Sequence, residues 1–350
     1  MRAGQSRSHN YAIDVLRIIA MLMIIAHHFV IHGNPEVEND WTSVLVLGGK
    51  TGVNIFVLIT GYYASRKINK SRLLGLVTKT TVYSIVLTVS AMMCVGGGIS
   101  KKNLLKAVFP IVFGGNYWFI TTYLELALMI PFLLIIIDNI SKEQYKRILC
   151  FSLIAFCIIP TVLNQFIQTN DFGYSTVVWF VFIFFIGQYI RLYGFPFMEK
   201  RPILALLSCI MCLIFHGASA VLQRHGLGKE FKWIAEYQLN ALLPLLIAVL
   251  VFLLIKRVSI HNRFGECIKL IGSSMIGVYL FHDNASFKPI LWKCMNNLFG
   301  SLEDAAFPVY ALLCIGTVFL LGIIVELIYL KVSEIAIDGY KGISKIIRRE

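Results

Sequence analysis

Four ionisable residues interrupt an otherwise apolar run near the start of this chain: Asp14, Arg17, His27 and His28, in IDVLRIIAMLMIIAHH. An acid, a guanidinium and two imidazoles make an ion pair, an anion clamp and a general base available in one segment. On a helix, the eleven residues from Arg17 to His28 rise about 16 Å and come within roughly 20° of three full turns. The two side chains therefore share a face. Asp14 lies one turn before Arg17 and can pair with it, which lowers the cost of a charge among apolar neighbours. His27 is turned about 80° from that face. A neutral imidazole is ready to accept a proton near neutral pH, which makes His28 the candidate base and His27 a packing or rim group. The plainer reading is an interfacial Asp14–Arg17 pair with histidines as polar glue between helices; the alignment of the set favours chemistry.

The elements that must position these residues follow from composition. Of 350 residues, 57% are apolar and 15% charged, against about 25% charged in soluble chains. A soluble fold of this length could not cover its surface. Apolar runs long enough to cross a bilayer lie near 12–31, 44–63, 74–95, 117–137, 148–166, 175–191, 202–222, 239–255, 270–287 and 308–330, the sixth and eighth being short. The stretch 104–116 is apolar but broken by Pro110 and Gly114–Gly115, which places it at the interface. The expected fold is all-α: a polytopic membrane bundle of about ten helices, with residues 1–350 forming a single integral domain and no separate soluble domain. The first run follows basic residues, as in a signal peptide, but its charges and the lack of a small-residue cleavage site mark it as a retained helix.

The net charge of +13 would suggest a polyanion partner in a soluble protein. Here 21 of the 32 Lys and Arg residues fall on the side of the N-terminus and 8 on the other, with Arg17, Lys50 and Lys79 inside spans. That asymmetry places both termini in the cytoplasm and argues against nucleic acid. Lys50, near the outer end of its run, is expected to snorkel. The eight cysteines fall mostly in apolar runs without zinc-site spacing, so no metal and no disulfide framework are expected.

The first run resembles the first helix of the membrane acyltransferase-3 family, in which an Asp stands three residues before an Arg and ten residues separate the Arg from a His. Three further stretches resemble the same family in order: TGVNIFVLITGYY (51–63), WFITTYLELALMIP (118–131) and SSMIGVYLFH (273–282). Two departures stand out. An Arg-x-x-Arg motif after the second helix is replaced by Arg66, Lys67, Lys70 and Arg72, which keeps the charge but not the bidentate geometry. Where one large branch has a Glu five residues after the Trp, this chain has Tyr123, and Glu125 lies on another face. The chain is most similar to the single-domain branch that O-acetylates cell-envelope sugars.

The resemblance implies an O-acyltransferase of the cytoplasmic membrane that moves an acyl group, acetyl by default, from cytoplasmic acyl-CoA to a hydroxyl of an envelope polysaccharide or glycolipid. Acetyl-CoA is then a co-substrate, with no permanently bound cofactor. The expected partners are acyl-CoA, membrane lipids and a glycan or lipid-linked sugar, with self-association left open. His28 would be the base, and an acyl-His or acyl-Ser route is the alternative. Arg17 would meet the pyrophosphate or pantetheine, with Arg66, Lys67, Lys70 and Arg72 at the mouth for the CoA phosphates, unless those four only form an ordinary positive-inside loop. Asp14 would support Arg17. Asn54, Thr60, Trp118, Tyr123, Ser274, Tyr279 and His282 could line the pore or meet the acceptor. For Asn54, Ser274 and Tyr279 the other reading is interhelical hydrogen bonding, and for Trp118 an interfacial aromatic belt. His282 with Asp283 either meets the acceptor or ends a helix. The rival reading is a secondary transporter or flippase, which predicts matched broken helices in the two halves; no matched pair is evident.

Overall fold

We describe a computed structural model of the chain, covering residues 9–33, 37–66, 69–96, 101–112, 117–163, 176–228, 238–260, 262–302 and 306–347. Sixteen α-helices make up the described residues, with no strand among them. In chain order they are α1 Tyr11–His28, α2 Asp40–Leu45, α3 Gly48–Tyr63, α4 Lys70–Val95, α5 Lys101–Val108, α6 Trp118–Asp138, α7 Lys142–Leu153, α8 Ile159–Leu163, α9 Thr176–Tyr193, α10 Pro196–Glu199, α11 Pro202–Arg224, α12 Leu242–Ile255, α13 Asn262–Ser273, α14 Met275–His282, α15 Lys288–Phe299 and α16 Phe307–Ile347. Several of these merge: α2 with α3, α7 with α8, and α13 with α14 each make one crossing segment.

Among the described residues, nine helices are long and apolar enough to cross a membrane. The tenth expected run is α12, whose 14 residues rise about 21 Å, short of a hydrocarbon core near 30 Å. Each of the ten apolar runs of the sequence contains helix among the described residues. The segment expected at the interface overlaps the short α5, and its Gly114–Gly115 lie outside the described residues.

Polarity is distributed as lipid requires. Large apolar side chains such as Leu128, Phe132 and Ile135 of α6 and Leu312 and Leu320 of α16 point outward and are exposed. Polar side chains turn inward and find partners. Trp179 Nε1 donates to Asn54 Oδ1 (3.0 Å). Asn54 Nδ2 donates to the Leu239 carbonyl (3.1 Å). Lys79 of α4 pairs with Glu326 of α16, and Tyr83 donates to the same carboxylate (2.8 Å). A charge inside the bilayer costs about 2.5–3.5 kcal/mol on insertion scales, and pairing offsets part of that.

Helix α3 is the hub, packed against α1, α9 and α12. Glycines allow the approach. A Cβ on Gly52 would lie 2.5 Å from the Ala20 carbonyl of α1, and one on Gly187 of α9 would lie 2.7 Å from the Leu58 carbonyl of α3. Small residues at such crossings let backbones meet where lipid offers no hydrophobic drive. This places the first helix, with its four ionisable residues, inside the bundle rather than at its edge: Asp14, Leu16 and Ala20 are buried.

Candidate active site

Asn10 opens α1, its side chain accepting from the Ala12 amide (3.1 Å). The buried Asp14 then accepts from Arg17 Nη1 (2.6 Å) and is also bonded by His9. This holds the guanidinium with donors to spare. Arg17, Asn69, Arg72, Thr60 and Tyr123 line a cavity of about 450 Å³ between α1, α3, the start of α4, α6 and the α13–α14 corner. Asn69 caps α4 by accepting from the Arg72 amide (3.0 Å), which fixes where that arginine leaves the backbone.

Farther along α1 the helix loosens. Residues Phe29–Gly33 form a π-turn, a departure from regular helix often found at functional sites. His28 precedes it and His32 lies within it, with ring centroids 5.4 Å apart. His27, His28, His32, Lys50, Trp118, Tyr279, Asp283 and Lys288 line a second cavity of about 210 Å³. Phe56, Phe119, Ile120, Met275 and Ile276 line both cavities. The arginine basin and the histidine basin therefore lie back to back, separated by an apolar partition.

His28 is buried, and its Nδ1 lies 3.9 Å from Asp283 Oδ1. That nitrogen has no hydrogen-bond partner among the described residues. The separation is too long for a hydrogen bond, but such contacts are often loose before substrate arrives. Asp283 is held by its surroundings. Asn284 next to it is fully buried, donates to the Tyr117 hydroxyl (3.0 Å) and accepts from the amides of Ser286 and Phe287 (3.0 Å each). Tyr117 in turn donates to the Leu280 carbonyl (2.9 Å).

Lys288 Nζ lies 3.2 Å from both Asp283 Oδ1 and His32 Nε2 and donates to them. The ligand atoms of His28, His32 and Asp283 fall within 4.8 Å of one another, a cluster able to hold a metal ion and unforeseen in the sequence. The Lys288 ammonium already serves two of the three groups as their cation, so a metal would have to displace it.

The structure brings together many of the sequence candidates and separates others. Arg17, Arg72, Thr60 and Tyr123 meet in one basin; His28, Trp118 and Tyr279 meet in the other. Asn54 reaches neither: its amide is spent on Trp179 and Leu239, so it is interhelical glue rather than a pore residue. Ser274 is fully buried at the α13–α14 corner and donates to the Leu270 carbonyl (2.9 Å), again away from the cavities. His282 is fully buried behind His28, ring centroids 5.1 Å apart, and its Nδ1 bonds the Val278 carbonyl (2.6 Å). Arg66 turns away to Asp138, and Lys70 is exposed at the start of α4; neither lines the arginine basin. Lys67 lies outside the described residues.

Two placements go beyond the sequence reading. The Lys50 ammonium lies over the Trp118 ring, 5.5 Å from the centroid, on the wall of the histidine basin. A cation–π contact is worth about 0.5–2 kcal/mol, less than the roughly 2.5–3.5 kcal/mol cost of a charge within a bilayer. His27, expected as a packing or rim group, lines this basin, and its Nδ1 donates to the Val46 carbonyl (2.7 Å). Asp283 and His32 stand beside His28, and Lys288 bonds both of them, a grouping that helix-face reasoning missed. His32 had a signal, since it follows His28 by one turn.

The profile of the Acyl_transf_3 family, an acyltransferase domain, matches residues 10–326. The chain belongs to the acyltransferase-3 family. It is a membrane acyltransferase by that membership, and both basins lie within the matched residues. No curated protein and no solved structure matches it.

Proposed function

We propose that this acyltransferase-3 member transfers an acyl group, acetyl in the first instance, from cytoplasmic acyl-CoA to a hydroxyl of an envelope polysaccharide or glycolipid. The observation that carries this reading is the pair of back-to-back basins, one lined by arginines and one by His28, arranged along a single face of α1. Arg17 and Arg72 meet the CoA phosphates, for which a guanidinium fork is the suited donor. With the Lys and Arg bias of the loops, that basin opens to the cytoplasm. The pantetheine arm passes the partition beside Phe56 and Phe119 and delivers the thioester to the histidine basin.

There the acceptor hydroxyl attacks the thioester carbonyl while His28 takes its proton through Nε2. Nδ1–H of the same ring is directed to Asp283, which fixes the tautomer and stabilises the imidazolium that forms, as a carboxylate does for a catalytic histidine elsewhere. The Tyr279 phenol, on the same wall, donates to the oxyanion. The attack forms the C–O bond; collapse re-forms the carbonyl, breaks the C–S bond and lets His28 return the proton to the CoA thiolate.

The test is labelled acetyl-CoA offered to purified protein with envelope glycans, following label in the glycan and release of CoA. Label in the glycan that vanishes in folded His28→Ala supports transfer. Transport of an intact sugar without CoA release would replace it with a carrier.

A further inference from the structure

The walls of the histidine basin hold two ammonium groups against one carboxylate. Its one carboxylate, Asp283, is engaged by Lys288 at 3.2 Å. Lys50 is the second ammonium on the wall, and no carboxylate lies within 4.0 Å of it among the described residues. The Trp118 face below it supplies a quadrupole but no counter-charge. Lys50 also stands in a turn of α3 without any acidic residue. A membrane protein that keeps an excess cation in its interior, against a cavity wall, is built to receive an anion there.

The CoA phosphates do not meet this need, because they are served in the other basin beyond the apolar partition. The thioester that reaches the histidine basin is neutral. The remaining occupant is the acceptor. We propose that the acceptor sugar carries a negatively charged group, a carboxylate or a phosphate, and that Lys50 recognises it. The inference rests on the acyl-transfer reading for the name of the occupant; the anion site itself rests on geometry. Lys50 over Trp118 then orients the sugar so that a neutral hydroxyl of the same ring faces His28, which makes it a specificity-determining residue.

Two readouts on the full-length protein in micelles separate the ideas. Calorimetry with glucuronate, glucose 6-phosphate and glucose should give binding about ten- to a hundredfold tighter for at least one of the charged sugars than for glucose, the span expected for one charge-assisted contact. Which charged sugar binds tighter identifies carboxylate or phosphate as the source. Lys50→Met should erase the preference and Lys50→Arg should keep most of it. Equal binding of all three sugars, or a preference that survives in folded Lys50→Met, overturns the proposal. In parallel, transfer of labelled acetyl from acetyl-CoA is measured to p-nitrophenyl glucuronide and p-nitrophenyl glucoside. A Lys50→Met loss that falls equally on both would assign Lys50 to the thioester oxyanion and overturn the proposal. Lys50-dependent sugar binding without acetyl transfer to any probe would leave the anion site standing and count against acyl transfer.

Discussion

Nδ1 of His28 and Oδ1 of Asp283, on segments far apart in sequence, stand 3.9 Å apart on the wall of one cavity. The pair is not yet hydrogen-bonded; once substrate closes the gap, the carboxylate orients the imidazole as a base. A general base contributes about 10²–10⁴-fold, so folded His28→Ala should lose activity on that scale while binding acyl-CoA as before. His27→Ala should cost less, because His27 is turned about 80° from the face of α1 that Arg17 and His28 share. Near-normal turnover in His28→Ala with a dead His27→Ala would mean that the wrong imidazole has been chosen.

Asp283 acts through His28 and not on the substrate. Asp283→Asn should lower kcat about 10–100-fold, with the KM for acyl-CoA unchanged. Asp283→Glu should recover part of the loss. A rise in KM without a change in kcat would make Asp283 a binding residue.

The arginine basin predicts a ranking within the basic loop that charge alone would not give. Arg17→Ala and Arg72→Ala should raise the KM for acyl-CoA, and Arg17→Lys should rescue only in part, since Lys is a point charge. Arg66→Ala should have little effect on that KM, because Arg66 is paired with Asp138. Steady-state kinetics on the four variants decide it; an Arg66 effect as large as that of Arg72 would move the phosphate site to the loop.

Glu326 is buried between Lys79 and Tyr83. Removing one partner of a buried pair typically costs about 3–5 kcal/mol, whereas replacing both with apolar residues is often neutral. Glu326→Ala should therefore lower thermal stability in micelles, and the double change Lys79→Met with Glu326→Met should restore most of it. No change in Glu326→Ala would mean that the pair contributes nothing.

Orientation is tested by labelling single cysteines in whole cells. Glu38→Cys should react with an impermeant reagent from outside and Lys70→Cys only after permeabilisation. External labelling at position 70 would reverse the proposed sides of both basins.

The nine crossing helices among the described residues were legible because an apolar run of bilayer length has few other solutions. The alignment of Asp14, Arg17 and His28 was legible for a similar reason: helical periodicity fixes which side chains share a face. Partners supplied by distant segments were not. Asp283 comes beside His28 from the turn after α14, and Lys288 joins it from the start of α15; no local pattern announces that turn's position. Charge pattern likewise could not rank the loop after the second helix. Arg66 and Arg72 look alike in sequence, yet Asp138 draws one away while the Asn69 cap leaves the other lining the basin. Asn54 and Ser274 show the converse: a polar residue in a span signals that it needs a partner, not whether the partner is protein or substrate.

The five residues shared by the two basins have an electrical consequence. Imidazoles on one side and an open, hydrated basin on the other would, if joined by water, form a wire for protons between the two faces of the bilayer. Each proton that leaked through would dissipate about 2.3 kcal/mol per 100 mV of membrane potential. Phe56, Phe119, Ile120, Met275 and Ile276 offer water no hydrogen bonds. They interrupt any chain of hydrogen bonds between the basins, so that a proton crosses only as the thiol of each departing CoA and the bundle does not drain the cell's ion gradients between turnovers.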